Sequence, residues 1–284
     1  EYLPFPAIVG QVKDTVKKYG EDIQILIPFN QGAEADGQYS RAVKCVLDRM
    51  SHDKTVIVSP ILERLTENAK DIDCLMRALV LGDMTYLTRN NLIEKYTEIP
   101  TWEQLCNIAE NTVEKQVTKT ISAVGTPMSL TSLDDGVIET LENKGYEILR
   151  MSLAEYMWFL LYDNAESRSE KVKLTDIWHK MQEVNKGLKN KLFEERYEDL
   201  FDIADKYMYK VSGGNIRYRY AKAVLMSRKT DGVLTFEPRY ENASMVIDMR
   251  RLADKTDSPA FRVSLDGDWD ESSWARLESF LYYL

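Results

Sequence analysis

Polar side chains suited to ligand binding are concentrated between residues 30 and 39, in the segment Asn-Gln-Gly-Ala-Glu-Ala-Asp-Gly-Gln-Tyr. Its two glycines have the spacing of a phosphate-binding loop, but Gln-Tyr at 38–39 replaces the Lys-Ser/Thr pair that such a loop requires. Glu34 and Asp36 would also repel a polyphosphate. We therefore reject nucleotide binding here. Two interpretations stay open: a structural turn whose acids lie near a helix N-terminus, or a site for another ligand or partner.

Two further polar loops follow predicted strands later in the chain. Residues 125–129 read Gly-Thr-Pro-Met-Ser, and residues 237–242 read Glu-Pro-Arg-Tyr-Glu-Asn. Open α/β sheets bind ligands at the carboxyl ends of their strands, so all three loops are expected to face a cleft between two lobes. Arg41 and Arg239 are the natural partners for an acidic group there. The predicted ligand-binding residues are Asn30, Gln31, Glu34, Gln38, Tyr39, Arg41, Thr126, Glu237, Arg239 and Tyr240.

The sequence gives little support for a metal site or for a Ser-His-Asp catalytic triad. His52 and His179 are the two histidines, and each is isolated among polar neighbours. The alternating acids of 266–270 resemble the start of a calcium loop, but the glycine and glutamate that such a loop needs further on are missing. We therefore predict no metal site, and we expect Asp268 or Asp270 to cap the last helix.

Three cysteines, Cys45, Cys74 and Cys106, form an odd and widely spaced set, which indicates a reduced cytoplasmic protein. All three fall in predicted helices, where they are expected to be buried structural thiols rather than cluster ligands. The run Arg-Tyr-Arg-Tyr at 217–220 has the basic and aromatic character of single-strand binders. Within an acidic chain, a solvated helix face is the expected interpretation.

The composition narrows the classes of function. The chain has 284 residues, 44% apolar and 29% charged, so it can bury a sizeable core. Its formal charge of −9 disfavours nucleic acid or an anionic membrane as the main partner. The longest apolar runs fall short of a membrane span. Because the chain opens at Glu1 and enters a helical pattern within a few residues, we expect a fragment of a longer polypeptide.

These loops require strands to position them, and the sequence predicts an α/β fold of two Rossmann-like (flavodoxin-like) parallel-sheet lobes with extra helices. The first two predicted strands should pair in parallel in one sheet and the other four should share a second sheet. The predicted strands lie near 23–29, 54–58, 121–125, 146–150, 233–236 and 261–265.

The expected domain organisation follows the same pattern. Residues 1–99 form the first α/β lobe, which we expect to be truncated at its N-terminus. Residues 100–119 form a connecting helix, with Thr101 as its candidate cap. Residues 120–284 form the second lobe, with a helical hairpin insertion near 167–211.

Four ordered segments resemble a known family, the 2-hydroxyacyl-CoA dehydratases with their activase-related proteins. The family's Cys-aromatic-Pro-Ala segment, which leads into a helix with Gly-Gln, corresponds to 4–7 and 10–11. Its Gly-Pro-Cys-Arg-x-Gly-Gln-Tyr loop corresponds to 32–39. Its helix with a Gly-Asp ending resembles 77–83, and its final strand and helix resemble 265–281. The resemblance extends over most of the chain and corresponds to the C-terminal part of such proteins.

This resemblance implies a dehydratase-component scaffold, and in the family loop cysteines hold a [4Fe–4S] cluster that passes one electron to an acyl-CoA substrate. Here Pro4 and Glu34 occupy the two cysteine positions, and residues 236–242 contain no cysteine. Proline cannot ligate iron and a carboxylate is a poor replacement for a thiolate. No cofactor is therefore expected in this segment.

The resulting functional expectation is a cluster-free, dehydratase-component-like domain that binds or scaffolds in acyl-CoA metabolism. Its expected partners are an acyl-CoA-type small molecule and an activase ATPase domain or sister subunit. One alternative is an active 2-hydroxyacyl-CoA dehydratase or reductase component, a lyase whose cluster is completed by another chain or segment. Another is an unrelated two-lobed protein that binds a small molecule.

Overall fold

The structure of the chain is a computed structural model, and it divides into two compact units, residues 1–72 and 73–284. This division falls earlier than the predicted boundary at residue 99. The described residues are 4–27, 39–50, 54–58, 69–88, 92, 96, 98–112, 119–126, 130, 136–209, 214–238, 248–265 and 269–284.

The first unit pairs two short strands in parallel. Its elements are α1 (Pro4–Tyr19), β1 (Gln24–Leu26), α2 (Tyr39–Arg49) and β2 (Val56–Val58). Ile25 of β1 lies opposite Ile57 of β2. Helix α1 buries Ile8, Val12 and Val16, apolar residues that recur at helical spacing along one face. The predicted parallel pairing of these two strands is confirmed.

The second unit is built on a four-stranded, all-parallel sheet, so the fold is mixed α/β as predicted. Its strands are β3 (Thr120–Gly125), β4 (Glu147–Arg150), β5 (Gly232–Pro238) and β6 (Ala260–Leu265). Their order across the sheet is β4-β3-β5-β6. From Ile121 to Gly125 every residue of β3 is buried, as expected of an interior strand that is covered on both faces. The prediction that these four strands share one sheet is confirmed.

Helices surround this sheet and supply most of the core. They are α3 (Ala69–Thr88), α4 (Trp102–Glu110), α5 (Val137–Asn143), α6 (Leu153–Asn164), α7 (Arg168–Gly187), α8 (Tyr197–Tyr207), α9 (Gly214–Ser227), α10 (Met249–Ala253) and α11 (Glu271–Tyr282). Helix α9 packs on β3 and β5 and also contacts α6 and α8. Helices α7 and α8 occupy the region predicted as a helical hairpin, which contains no strand within its described residues.

Local sequence signals account for several helix ends. The Thr101 hydroxyl accepts a hydrogen bond from Gln104 N at 3.3 Å and caps α4, as predicted. The Asp270 carboxylate accepts one from Ser273 N at 2.7 Å and caps α11. Gly145, with φ of +91°, turns the chain from α5 towards β4, a conformation that favours glycine.

The predicted connecting helix is shorter in the structure. It is expected within 100–119 and ends at Glu110, because the Asn111 side chain donates a hydrogen bond to Asn107 O at 2.7 Å and occupies a carbonyl at the helix end.

Candidate functional site

The carboxyl edge of the four-stranded sheet brings together two of the predicted binding residues. Strands β3 and β5 are neighbours, with Gly125 opposite Phe236. Thr126 follows Gly125 and Glu237 follows Phe236, so both residues stand where adjacent strands end. The order of strands reverses between β3 and β5, since β4 lies beyond β3 and β6 lies beyond β5. Open parallel sheets bind ligands in the crevice at such a reversal point.

An ion pair lies at this edge of the sheet, where the strand order predicts a crevice. Nε of Arg262 on β6 is 3.1 Å from Oε2 of Glu237 on β5. The Glu237 side chain is 3% exposed, whereas the Arg262 side chain is 38% exposed. The guanidinium therefore compensates a buried carboxylate on one side and faces solvent on the other. Arginine carries five N–H donors, so it can contact Glu237 and an acidic ligand group together.

The other predicted binding residues are not brought to this crevice by the described structure. Tyr39 begins α2, and Arg41 is an exposed residue of the same helix, in the other compact unit. Outside the described residues lie Asn30, Gln31, Glu34, Gln38, Arg239 and Tyr240. The predicted cleft between lobes stays a prediction.

Sequence reasoning missed a capped helix N-terminus beside the crevice. Helix α6 begins directly after β4, and Asp83 of α3 covers its first turn. Oδ2 of Asp83 accepts hydrogen bonds from Ser152 Oγ at 2.6 Å and from Ala154 N at 3.0 Å, and Oδ1 accepts one from Leu153 N at 2.9 Å. Burial raises the pKa of Asp83 to about 6, although these three hydrogen bonds lower it.

Two signals in the sequence could have found this contact. Ser152 precedes Glu155 by three residues, the spacing of a capping motif at a helix start. Asp83 ends the Gly-Asp segment that carries part of the family resemblance. Because Asp83 and Ser152 are far apart in the sequence, their contact could not be predicted from either signal.

A cluster of charges, buried except for one lysine, lies behind this helix start. Nζ of Lys222 is 2.5 Å from Oε2 of Glu155 and 2.8 Å from Oε1 of Glu194. Nζ of Lys229 is 2.5 Å from Oε2 of Glu194 and is the half-exposed member of the cluster. The Tyr218 hydroxyl donates to Oε2 of Glu155 at 2.9 Å. Opposite charges are thus paired inside the core, and most of their hydrogen-bonding groups have a partner.

The pKa values in this cluster shift in opposite directions. Burial raises the pKa of Glu155, although the Lys222 charge lowers it in part. Burial would also raise the pKa of Glu194, but the charges of Lys222 and Lys229 outweigh it and lower the pKa. Burial also raises the pKa of Tyr218, with the Glu155 charge adding to it. Both glutamates hold Lys222 in its charged form. The charges of Glu155, Glu194 and Lys222 therefore compensate one another inside the core and are not exposed to a ligand.

The basic and aromatic run at 217–220 is buried, so the prediction of a solvated helix face is wrong. All four side chains are at most 2% exposed. The reason is that α9 packs against three helices and two strands, and the Arg217 charge is paired with acidic side chains of two of those helices. Arg217 forms ion pairs with Asp163 and Asp205. A role in nucleic-acid binding for this run requires accessible side chains, which the structure does not provide.

The three cysteines lie in helices as predicted, but the expectation that they are buried is wrong. Cys45 is exposed, and Cys74 and Cys106 are half-buried. Cys45 belongs to one compact unit and the other two belong to the second. A [4Fe–4S] cluster does not fit this donor set, because it needs several thiolates presented together from loops. Among the described residues, no group of three or more His, Cys, Asp or Glu side chains is arranged to hold a metal ion.

Comparison of this chain with protein-family models, with curated proteins and with solved structures found no match.

Within the described part of the chain, no helix has both the length and the apolar character that a bilayer crossing needs. His179 is an exposed residue of α7.

Proposed function

We propose that this chain is a dehydratase-component-like domain without an iron–sulfur cluster, which binds a CoA-type acyl ligand as a binding or scaffolding unit of acyl-CoA metabolism in the cytoplasm. The ligand lies across the carboxyl edge of the four-stranded sheet. The observation that carries the proposal is the reversal of strand order between β3 and β5, with Thr126 and Glu237 at the two strand ends.

The strand order also supports the Rossmann-like assignment of the second lobe. Numbered along the chain within this sheet, the strands run in the order 2-1-3-4, which is how a flavodoxin-like sheet begins. The parallel pair of β1 and β2 is the described part of the first such lobe in this proposal.

A groove beside β6 supports the class of ligand. It has a volume of about 380 Å³, within the range of small-molecule sites. Two guanidiniums line it, and Arg262 is shared with the crevice. Arginine binds phosphate and carboxylate groups in a bidentate manner, and an indole offers a flat apolar face. The groove residues are Phe261, Arg262, Ser264, Trp269, Ser273 and Arg276. In this proposal they hold the phosphate-bearing end of the ligand.

Calorimetric titration with CoA and acetyl-CoA tests the proposal. The two ends of β3 offer a matched pair of variants. Thr126→Val removes a hydroxyl at the carboxyl end and should weaken binding three- to tenfold, the usual effect of one hydrogen bond. Thr120→Val makes the same change at the other end of the strand and should leave binding unchanged.

The groove offers a second matched pair. Arg276→Ala should weaken CoA binding about tenfold, whereas Arg228→Ala, at another exposed arginine, should not. Absence of binding by both CoA compounds at millimolar concentration, or equal losses in variants and controls, would contradict the proposed function.

Iron and acid-labile sulfide analysis separates the proposal from the active-enzyme alternative. Protein purified without oxygen should contain neither in stoichiometric amount, because Pro4 and Glu34 replace thiolates. Stoichiometric iron together with sulfide would favour the dehydratase or reductase component instead. Co-purification with an activase ATPase domain or a sister subunit would identify the protein partner.

A further inference from the structure

A small cavity lies alongside β4, on the same sheet as the crevice. Its volume is about 40 Å³. Helix α3 contributes Asp83, Tyr86 and Leu87 to its wall, and Leu192 and Met226 close other sides. Residues 148–151, at the end of β4, also line the cavity. Apolar side chains therefore form most of the wall, with the Asp83 carboxylate as one polar point.

A backbone hydrogen bond links the wall of this cavity to the residue that follows β3. Leu130 lines the cavity, and its backbone N–H donates to Thr126 O at 3.2 Å. Its carbonyl accepts a hydrogen bond from Arg150 Nη1 at 2.8 Å. Leu130 thus bonds both to the predicted binding residue at the end of β3 and to Arg150 in the cavity wall beside β4.

The cations around the cavity already have partners. The Arg150 guanidinium lies 4.6 Å from the centre of the Tyr86 ring as well as bonding to the loop carbonyl. Nζ of Lys191 donates to Asn185 O at 2.9 Å and to Leu188 O at 2.6 Å, at the end of α7. An anionic ligand end would face Asp83 with these two cations committed elsewhere, so the chemistry of the cavity favours a neutral, apolar group.

The volume limits the length of that group. A water-sized group needs about 10–15 Å³ on this measure, so a cavity of about 40 Å³ holds about three such groups. We propose that this cavity receives the short, uncharged acyl end of the ligand whose body lies at the crevice, and that it selects acyl chains of about four carbons. The inference rests on the proposed function and adds chain-length and charge selectivity to it.

The distances across the sheet fit an elongated ligand. The groove lies beside β6 and the cavity beside β4, three strand spacings apart, or about 14 Å. A compact metabolite cannot reach both, whereas an acyl thioester with a long carrier arm can. The two strands between them, β5 and β3, carry Glu237 and Thr126 at their carboxyl ends.

A series of acyl-CoA compounds tests the inference by calorimetry. Butyryl-CoA should bind about tenfold tighter than CoA, because the chain buries apolar surface. Octanoyl-CoA should bind no tighter than CoA because its chain exceeds the cavity, and succinyl-CoA should gain nothing because its carboxylate faces Asp83. Equal or tighter binding of octanoyl-CoA or succinyl-CoA relative to butyryl-CoA would overturn the inference while leaving the proposed function intact.

Two variants test whether the acyl chain binds in this cavity. Leu87→Phe fills the cavity from a half-buried position on α3 and should abolish the advantage of butyryl-CoA without changing the affinity for CoA. Leu160→Phe is the matched control, since Leu160 is half-buried on α6 and does not line the cavity. An unchanged butyryl preference in Leu87→Phe would count against the cavity.

A neutral probe makes the cavity testable without CoA. Butyramide should shift the methyl resonance of Met226 in the wild type and should not do so in Leu87→Phe. If no CoA compound binds but butyramide gives this shift, the proposed function fails and the short-chain cavity stands. If CoA compounds bind without a chain-length preference and butyramide gives no shift, the cavity inference fails alone.

Discussion

Two polar regions of the second compact unit contain buried carboxylates, and they differ in how those charges are compensated. In the core cluster, Lys222 lies between Glu155 and Glu194, and all three side chains are buried. At the carboxyl edge, Glu237 is buried but its partner Arg262 is partly open to solvent. The first arrangement is closed on itself, whereas the second leaves part of a guanidinium accessible.

The difference shows why a perturbed pKa alone does not locate a ligand site. Strongly shifted groups often mark active sites, but buried structural ion pairs shift in the same way. In this chain the pKa values of Glu155, Glu194 and Lys222 are all shifted, yet these three side chains are buried and paired with one another. The partly exposed guanidinium of Arg262, paired with Glu237 at the carboxyl edge, is the better guide.

The largest effect is expected from breaking the closed cluster. Lys222→Met should lower the free energy of unfolding by about 3–5 kcal/mol, because Glu155 stays buried without its cation. Urea unfolding measures this loss. Adding Glu155→Gln to the same variant should restore part of the stability. A loss below about 1 kcal/mol, the size expected for an exposed ion pair, would contradict the difference in compensation between the core cluster and the carboxyl edge.

A smaller loss is expected at the carboxyl edge. Arg262→Met should cost about 1–2 kcal/mol, because Glu237 loses its partner at a place where water can partly replace it. The same variant should also weaken CoA binding. A cost as large as that of Lys222→Met would mean that the edge pair is as closed as the core cluster.

Asp83 should make the free energy of unfolding depend on pH. Its pKa of about 6 in the folded protein lies above the value of 3.8 for an unperturbed aspartate. Protonation therefore favours the folded state, and this contribution to stability is lost as the pH rises through about 6. Relative to Asp83→Asn, the wild type should gain about 1 kcal/mol between pH 7 and pH 5. A constant difference between the two proteins over this range would contradict the shift.

The smallest effect is expected from an exposed pair. Nζ of Lys144 is 2.8 Å from Oε1 of Glu278, and both side chains are largely solvent-accessible. Lys144→Met should change the free energy of unfolding by less than about 0.5 kcal/mol, and salt should reduce that change further. A larger loss would show that short distance matters more than burial.

Periodicity and composition were sufficient to predict the strands and their pairing. The apolar runs at β3 and β5 indicate strands covered on both faces, and the alternation with helices indicates a parallel sheet. Caps with a local signature, such as Thr101 and Asp270, could also be placed. Each of these features depends on residues that are close together in the chain.

Features that depend on tertiary contact could not be predicted in this way. The run at 217–220 has a polar sequence, yet it is buried because acids from α6 and α8 meet its charge. The burial of Lys222 likewise depends on two glutamates at distant positions. At the candidate site, the sequence indicated Thr126 and Glu237 from strand ends but gave no indication that Arg262 would pair with Glu237.

The cap that Asp83 places on α6 has a consequence for hydrogen exchange. Asp83 and Ser152 are 69 residues apart in the chain, so their hydrogen bond closes a long loop and forms only after α3 has docked. The backbone N–H groups of Leu153 and Ala154 donate to Asp83 rather than to the helix itself. Their protons can therefore exchange with deuterium only through an opening that separates α3 from α6, and their exchange rates measure how often that opening occurs.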